Sequence, residues 1–528
     1  MSLIVYIVEN VYIIFKFPNF QIRKKMGPLD KYILREDALE ATDNGFQLKF
    51  QSHWYRALPL SCMDFSLKLN GQEIEKSLFK IKANGNEYSY DQLPELDKEW
   101  LFILDRGILE VAQPLEKGSE YEVEFKFDLH IPYILVGPQA TPLLASSVVK
   151  CPLTPNGGIN TSIENSVQKS NISLKPKTEN SANKAPIGGV GAKTPPSGAG
   201  GAIKLATSLF SYAYEWNYGQ FSLEDVIAET RKRDLGTGLE IIGFQSLRGF
   251  PYISDQTEKE VKNLLDKYEF EPVALDANID VAIKRHAKMS IDETVEYIKP
   301  QILAAQKLGF PILRCQTTAP AEVYQKLVPF AEKANVVMGI ELHTPYSVDH
   351  PSVIKMAEMF GQMQTHVLGF VPDMGTCMRA IPEALLTSFK TAGVTDEMIA
   401  ITKEIWHKDI PTPAKFGELA QRLVPMGATP PQIGRLNMAF SMNGRQPVEN
   451  WKEIMPYVVH VHGKFYGFDE NGDEPSIDYP AIFKVFHEGG YKGYISSEYE
   501  GSAFTDEFDA FDMVEKQHQL WKRILQNF

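Results

Sequence analysis

The sequence predicts an α/β chain, a (β/α)8 barrel preceded by a small all-β domain of the sandwich or jelly-roll kind. Three observations carry that reading. Between residues 204 and 528, eight short apolar runs are each followed by a helical stretch. Between residues 27 and 150, short alternating segments recur with turn pairs between them. Separating the two, residues 151–203 are rich in Gly, Pro, Ser, Asn and Lys and poor in aromatics. Such a composition buries too little apolar area to offset its ordering entropy, so a flexible linker is expected there.

Residues 1–26 are a separate extension. The stretch MSLIVYIVENVYIIFKFPNF is apolar but broken by Glu9 and Asn10, with Lys16 close behind. It has no basic start and no small-residue cleavage site, which argues against a signal peptide. Its apolar run is short of the roughly 20 residues a membrane span needs. An accessory strand, or a start upstream of the true one at Met26, is expected, with a weak membrane anchor as the alternative.

In the all-β region the strands are read from FQLKF, DFSLKLNGQEI, LFKIKANGNEY, WLFILDRGILEV and YEVEFKFDLHI. Asn70-Gly71 and Asn84-Gly85 supply the hairpin signals. The barrel strands are read from KLATSLFSYAY, GLEIIGFQ, PVALDAN, PILRCQTT, VVMGIELH, VLGFVPDMG, VVHVHGKFYG and GYISSEYE. The segment from Arg379 to Trp451 is longer than one helix requires, so extra helices that cap the barrel or build an oligomer interface are expected.

Composition narrows the function classes. At 528 residues, 44% hydrophobic and 23% charged, the chain is ordinary globular protein. A net charge of −13 argues against a nucleic-acid partner, because phosphate binding needs clustered Lys and Arg. The four cysteines are scattered without CxxC spacing, which suits free thiols in a reducing, cytoplasmic setting.

Barrel chemistry sits at the C-terminal ends of the strands. The fifth run ends in Glu341 and His343, two apart and therefore on one side of an extended chain. The sixth ends in Asp373. The seventh carries His460, His462 and Lys464, and the eighth Glu498 and Glu500. Each alone has a plain structural reading, Asp373 as a turn or cap residue and His460 as a core histidine. Together, carboxylates and imidazole converging on one mouth suit a divalent metal such as Mn²⁺, with Mg²⁺, Co²⁺ and Zn²⁺ as alternatives. Without a cation, carboxylates gathered in one dry cavity would repel each other.

At GIELH, FVPDMG, HVHGK and GYISSEYE the chain resembles the xylose-isomerase-like barrels, the sugar phosphate isomerase and epimerase superfamily. The resemblance implies Glu341, Asp373, His462 and Glu498 as metal ligands. It favours His462 over His460, because the family's ligand lies two residues before a Lys. The stretch GFQLKFQSHWYRALPLSCMDFSLKLNGQEI resembles the β-subunit of bacterial C-glycoside deglycosidases, whose large subunit is such a barrel. The resemblance implies cleavage of a 3-keto C- or O-glycoside by β-elimination, on a sugar oxidised beforehand at C3 by an upstream glycoside oxidase or dehydrogenase. It implies a homo-oligomer by family habit.

That chemistry asks for a base near neutrality at C2, and His343 is the candidate. His460, Lys464 and Glu500 are candidates for the acid at the leaving group. Glu240, Arg314 and Glu500 are expected at the substrate, with the alternatives that Glu240 orients a group behind the ligands, that Arg314 pairs with a carboxylate and that Glu500 forms a salt bridge. His53, Trp54, Tyr55 and Arg56 are expected either to reach over the barrel mouth or to pack the domain interface. Two other functions compete, a metal-dependent sugar isomerase or epimerase and a non-catalytic carbohydrate-binding protein.

Overall fold

A computed structural model describes residues 32–136, 140–155, 203–217, 221–505 and 509–528, and the backbone of two further strands. Those strands, Ser2–Val8 and Val11–Phe17, pair antiparallel in the N-terminal extension. Residues 156–202, most of the expected linker, lie outside the described residues, as does the rest of the extension before Tyr32.

The all-β region packs two antiparallel sheets face to face, beside a short antiparallel pair of Leu58–Pro59 with Trp100–Leu101. One orders Leu39–Thr42, Gly45–Gln51, Arg106–Val111, Phe79–Ala83 and Asn86–Ser89. The other orders Thr141–Leu153, Tyr121–Val136, Met63–Leu69 and Gln72–Glu73. Alternation puts every second side chain inward, and six of those are phenylalanines: Phe46, Phe50, Phe65, Phe79, Phe125 and Phe127. Phe50 of the first sheet meets Phe65 of the second at 4.8 Å between ring centres, with Phe125 and Phe127 beside them. Both Asn-Gly pairs adopt the left-handed backbone that a two-residue hairpin demands, φ 50° and 81° at 70–71 and 51° and 81° at 84–85.

The barrel strands are β1 Lys204–Ser208, β2 Gly238–Ile242, β3 Glu271–Asp276, β4 Ile312–Cys315, β5 Val337–Leu342, β6 Leu368–Pro372, β7 Val461–Phe465 and β8 Tyr494–Tyr499. All are parallel, in the order β6-β5-β4-β3-β2-β1-β8-β7, and bridges from Phe370 to Val458 and from Asp373 to His462 close the ring. Inside, Ala274, Ile312, Val337, Val371 and Val459 form a separate apolar cluster. The packing there tolerates no side chain at Gly369, where a Cβ would lie 2.3 Å from Val459. Capped helices follow the strands. Ser290 and Glu293 exchange hydrogen bonds at the start of Ile291–Leu308, which ends at Gly309 with φ 86°.

Between Arg379 and Trp451 the extra helices are present, among them Glu383–Thr391, Asp396–Trp406, Thr412–Leu423 and Pro430–Leu436. Their apolar faces join the barrel's core, with Trp406 buried and its indole donating to the Asn443 carbonyl at 2.9 Å.

The β-domain sits on the loops that leave β2 and β3 at their C-terminal ends. The Ala57 amide donates to the Phe244 carbonyl at 2.9 Å, and the Ser61 hydroxyl to the Ile283 carbonyl at 2.7 Å. Trp100 stacks on Phe244 at 4.3 Å. Arg56 and Asp280, both fully buried, pair at 2.5 Å, and the Tyr297 hydroxyl donates to the other Asp280 oxygen at 2.6 Å.

Candidate active site

Strand direction alone brings acidic and basic groups together at the C-terminal mouth. Glu341 lies one residue before the end of β5, Asp373 directly after β6, His462 and Lys464 within β7, and Glu498 within β8. All five are buried. One donor atom each from Glu341, Asp373, His462 and Glu498 falls within 4.8 Å of the other three.

His462 is the hub. Its Nδ1 is 2.8 Å from Glu341 Oε1 and 3.6 Å from Glu498 Oε2, while its Nε2 faces Glu240 Oε1 at 3.1 Å. Glu240, on β2, takes His460 Nε2 at 2.6 Å on its second oxygen. Ser496 Oγ lies 3.0 Å from the same His460 nitrogen. Burial alone would raise the Glu240 carboxyl, but the two imidazoles hold it well below its ordinary range. A carboxylate behind a histidine fixes the ring and leaves the far nitrogen free for another ligand. Here that far nitrogen is Nδ1, which looks into the four-residue cluster.

Lys464 Nζ is 2.8 Å from Asp373 Oδ2, 2.9 Å from Glu500 Oε1 and 3.8 Å from Glu498 Oε2. Burial opposes its charge, but Asp373, Glu500 and Glu498 outweigh that and hold it protonated far above the usual lysine range. Arg314, on β4, reaches Glu341 at 3.4 Å, Asp276 at 3.5 Å and Glu498 at 4.0 Å. The Glu500 carboxylate, less buried, also accepts from the Tyr466 hydroxyl at 3.3 Å.

Carboxyls outnumber cations here. Glu240, Asp276, Glu341, Asp373, Glu498 and Glu500 face Arg314, Lys464 and the His462 imidazole. Burial pushes Glu498 up to about 8 and Asp276 well above the carboxylate range, the cost of gathering so many carboxyls in a dry cavity. Glu498 Oε2 and Asp373 Oδ2 are buried and have no hydrogen bond among the described residues, although Lys464 lies near both. Three carboxylates and an imidazole nitrogen, drawn this close together, are a donor set that could hold a divalent cation.

His343 stands just past β5, half-buried. Its Nδ1 lies 2.8 Å from the Thr344 carbonyl. A carbonyl only accepts, so Nδ1 carries the hydrogen and the neutral ring keeps its lone pair on Nε2.

The sequence-expected residues thus fall into one connected cluster, with His343 at its edge. Sequence reasoning passed over Asp276. It ends β3 in PVALDAN just as the ligand candidates end later strands, and that position was the available signal. Asp280, the partner of Arg56, carried no such signal.

In comparison with known proteins, residues 29–133 match the family described as C-glycoside deglycosidase beta subunit. Residues 233–524 match the xylose isomerase-like TIM barrel. The 3'-dehydrocarminate deglycosidase alpha subunit of a Microbacterium species is 37% identical over 330 residues, covering 61% of this chain and 95% of that protein. A C-glycoside deglycosidase alpha subunit of Arthrobacter globiformis is 35% identical over 331 residues, covering 62% and 94%. A C-glycoside deglycosidase beta subunit of Microbacterium trichothecenolyticum is 34% identical over 89 residues, 17% of this chain and 68% of that protein.

Proposed function

This chain belongs to the C-glycoside deglycosidase family, its barrel being xylose isomerase-like, and on that premise we propose that it is a metal-dependent lyase. Its substrates are 3-keto C- or O-glycosides, which it cleaves by β-elimination. One observation carries the reading. A β-subunit-like domain is docked at the C-terminal mouth of a barrel whose ligand-type cluster is complete. The relative named for a 3'-dehydro glycoside supports a ketone at C3 of the sugar.

Glu341, Asp373, His462 and Glu498 would hold the cation, most simply Mn²⁺. When bound, it supplies a Lewis acid for negative charge that develops on substrate oxygen. Glu240 holds His462 in the tautomer that leaves Nδ1 available, and His460 holds Glu240. The ketone makes the proton at C2 acidic, and His343 Nε2 removes it. The C1–aglycone bond then breaks as the C1–C2 double bond forms. The proton lost from C2 is made good on the aglycone, so the step is redox-neutral and leaves an unsaturated keto-sugar. Lys464 stays an ammonium and steadies negative charge at the sugar, Glu500 anchors Lys464, and Arg314 keeps Glu341 ionised. A reducing compartment such as the cytoplasm suits the four free cysteines.

Purified protein incubated with a 3-keto glucoside, with and without chelator, tests the reading. Chromatography should find free aglycone, lost on chelation and restored by Mn²⁺. Epimerised or isomerised sugar with no aglycone released, across O- and C-linked substrates, would favour the isomerase reading instead.

A further inference from the structure

We infer that the β-domain supplies the aglycone subsite, with Trp54 and Tyr55 forming an aromatic wall for a planar, phenol-bearing aglycone. The inference rests on the deglycosidase reading and names the half of the substrate that the metal-side residues do not touch.

The first support is placement. The four ligand-type residues come from β5 to β8, on one half of the mouth. The β-domain covers the other half, on the loops after β2 and β3. Tyr55 reaches β1 as well, its ring 5.2 Å from and edge-on to Phe210 in the turn that leaves that strand. Burial raises the Tyr55 phenol, and Arg314, which also touches Glu341, is among the charges that draw it back.

The second support is exposure. Residues 51–53 and 56–63 are all buried, so this stretch is packed on both sides. Only Trp54 and Tyr55 between them are less than fully buried, their rings 5.7 Å apart and tilted. Packing of the interface accounts fully for Arg56, Ala57 and Ser61, whereas Trp54 and Tyr55 are covered only in part by the β-domain core and by Phe210.

The third support is hydrogen bonding. The Trp54 indole donates to the Tyr133 hydroxyl at 3.1 Å, and that hydroxyl donates to Tyr55 at 3.0 Å. The relay is one-directional and fixes both rings. It ends on Tyr55, whose own O–H has no acceptor among the described residues. An aglycone phenol or carbonyl oxygen in the mouth would be that acceptor, while the rings supply stacking area.

The test measures kcat/KM for a 3-keto glucoside with a polyphenolic aglycone against its methyl counterpart. Trp54→Ala should shift the ratio against the aromatic substrate by about tenfold, and Tyr55→Phe by a smaller factor that requires a phenolic oxygen. Trp54→Phe should recover most of the loss. Titrating the wild-type protein and the same variants with the free polyphenol, followed by fluorescence, reads the subsite without turnover. Weaker binding in Trp54→Ala supports the inference even if no substrate is cleaved, in which case the lyase reading alone fails. Equal losses on both substrates, or free-polyphenol binding that none of the variants alters, would overturn it.

Discussion

Replacing Asp280 by Ala should loosen the β-domain from the barrel more than any surface change at that junction. Arg56 and Asp280 are both completely buried and pair at 2.5 Å. Burial works against the Arg56 charge, and Asp280 more than reverses it, raising the guanidinium above its ordinary value. Remove the carboxylate and the guanidinium cannot escape by losing its proton, since arginine stays charged in proteins. It also lies between the rings of Tyr133 and Phe244, 4.6 and 5.4 Å from their centres, with no water-facing side to turn to. Tyr297 loses its 2.6 Å acceptor in the same stroke. Breaking a buried pair from one side costs about 3–5 kcal/mol. Against a typical stability of about 5–15 kcal/mol, that is a large share. Urea unfolding of wild type, Asp280→Ala and the double variant Arg56→Met with Asp280→Leu would measure it. The single variant should lose its first transition early, and the double variant should sit within about 1–2 kcal/mol of wild type, because an apolar pair removes the orphaned charge. A single variant that loses less than about 1 kcal/mol would refute the reasoning, because it would mean that water reaches Arg56.

Further outcomes follow from the site. His343→Ala should keep its metal, measured by elemental analysis, yet lose at least about two orders of magnitude in aglycone release. Glu240→Gln should weaken Mn²⁺ binding by about 10–100-fold in calorimetric titration, because it loosens the ring of His462 without touching a ligand atom. Burial raises Glu474 from 4.5 to about 7. The folded state therefore keeps a proton that the unfolded state has lost, and this contribution is full below about 4.5 and gone as pH rises through about 7. The swing is about 3 kcal/mol. Thermal melts at pH 5 and pH 8 should differ less in Glu474→Gln than in wild type.

How far the sequence reached depends on the kind of order involved. The barrel was legible because parallel strands buried on both faces read as continuous apolar runs, and polar residues at their ends stand out. The same rule brought Glu341, Asp373, His462 and Glu498 to one mouth, since parallel strands deliver their ends to the same side. Asp276 obeyed that rule and was passed over because Asp beside Asn also reads as a turn. His460 and Lys464 were legible as chemistry-bearing residues but not by partner, since Glu240 and Asp373 come from other strands. The pair of Arg56 with Asp280 was invisible. Its members stand on different domains, and nothing local to either announces the other. Trp54 and Tyr55 looked distinctive, but whether they packed or faced outward was decided by the docking of one domain on another.

That docking joins parts which the curated relatives carry on separate alpha and beta subunits. Two free subunits meet as often as their concentrations allow, and they part on dilution. When both lie on one polypeptide, the encounter is internal, at an effective concentration that no dilution lowers. The mouth of the barrel and the aromatic wall above it are then made in equal number by one round of translation. Activity per chain should stay constant at dilutions where a two-subunit relative comes apart.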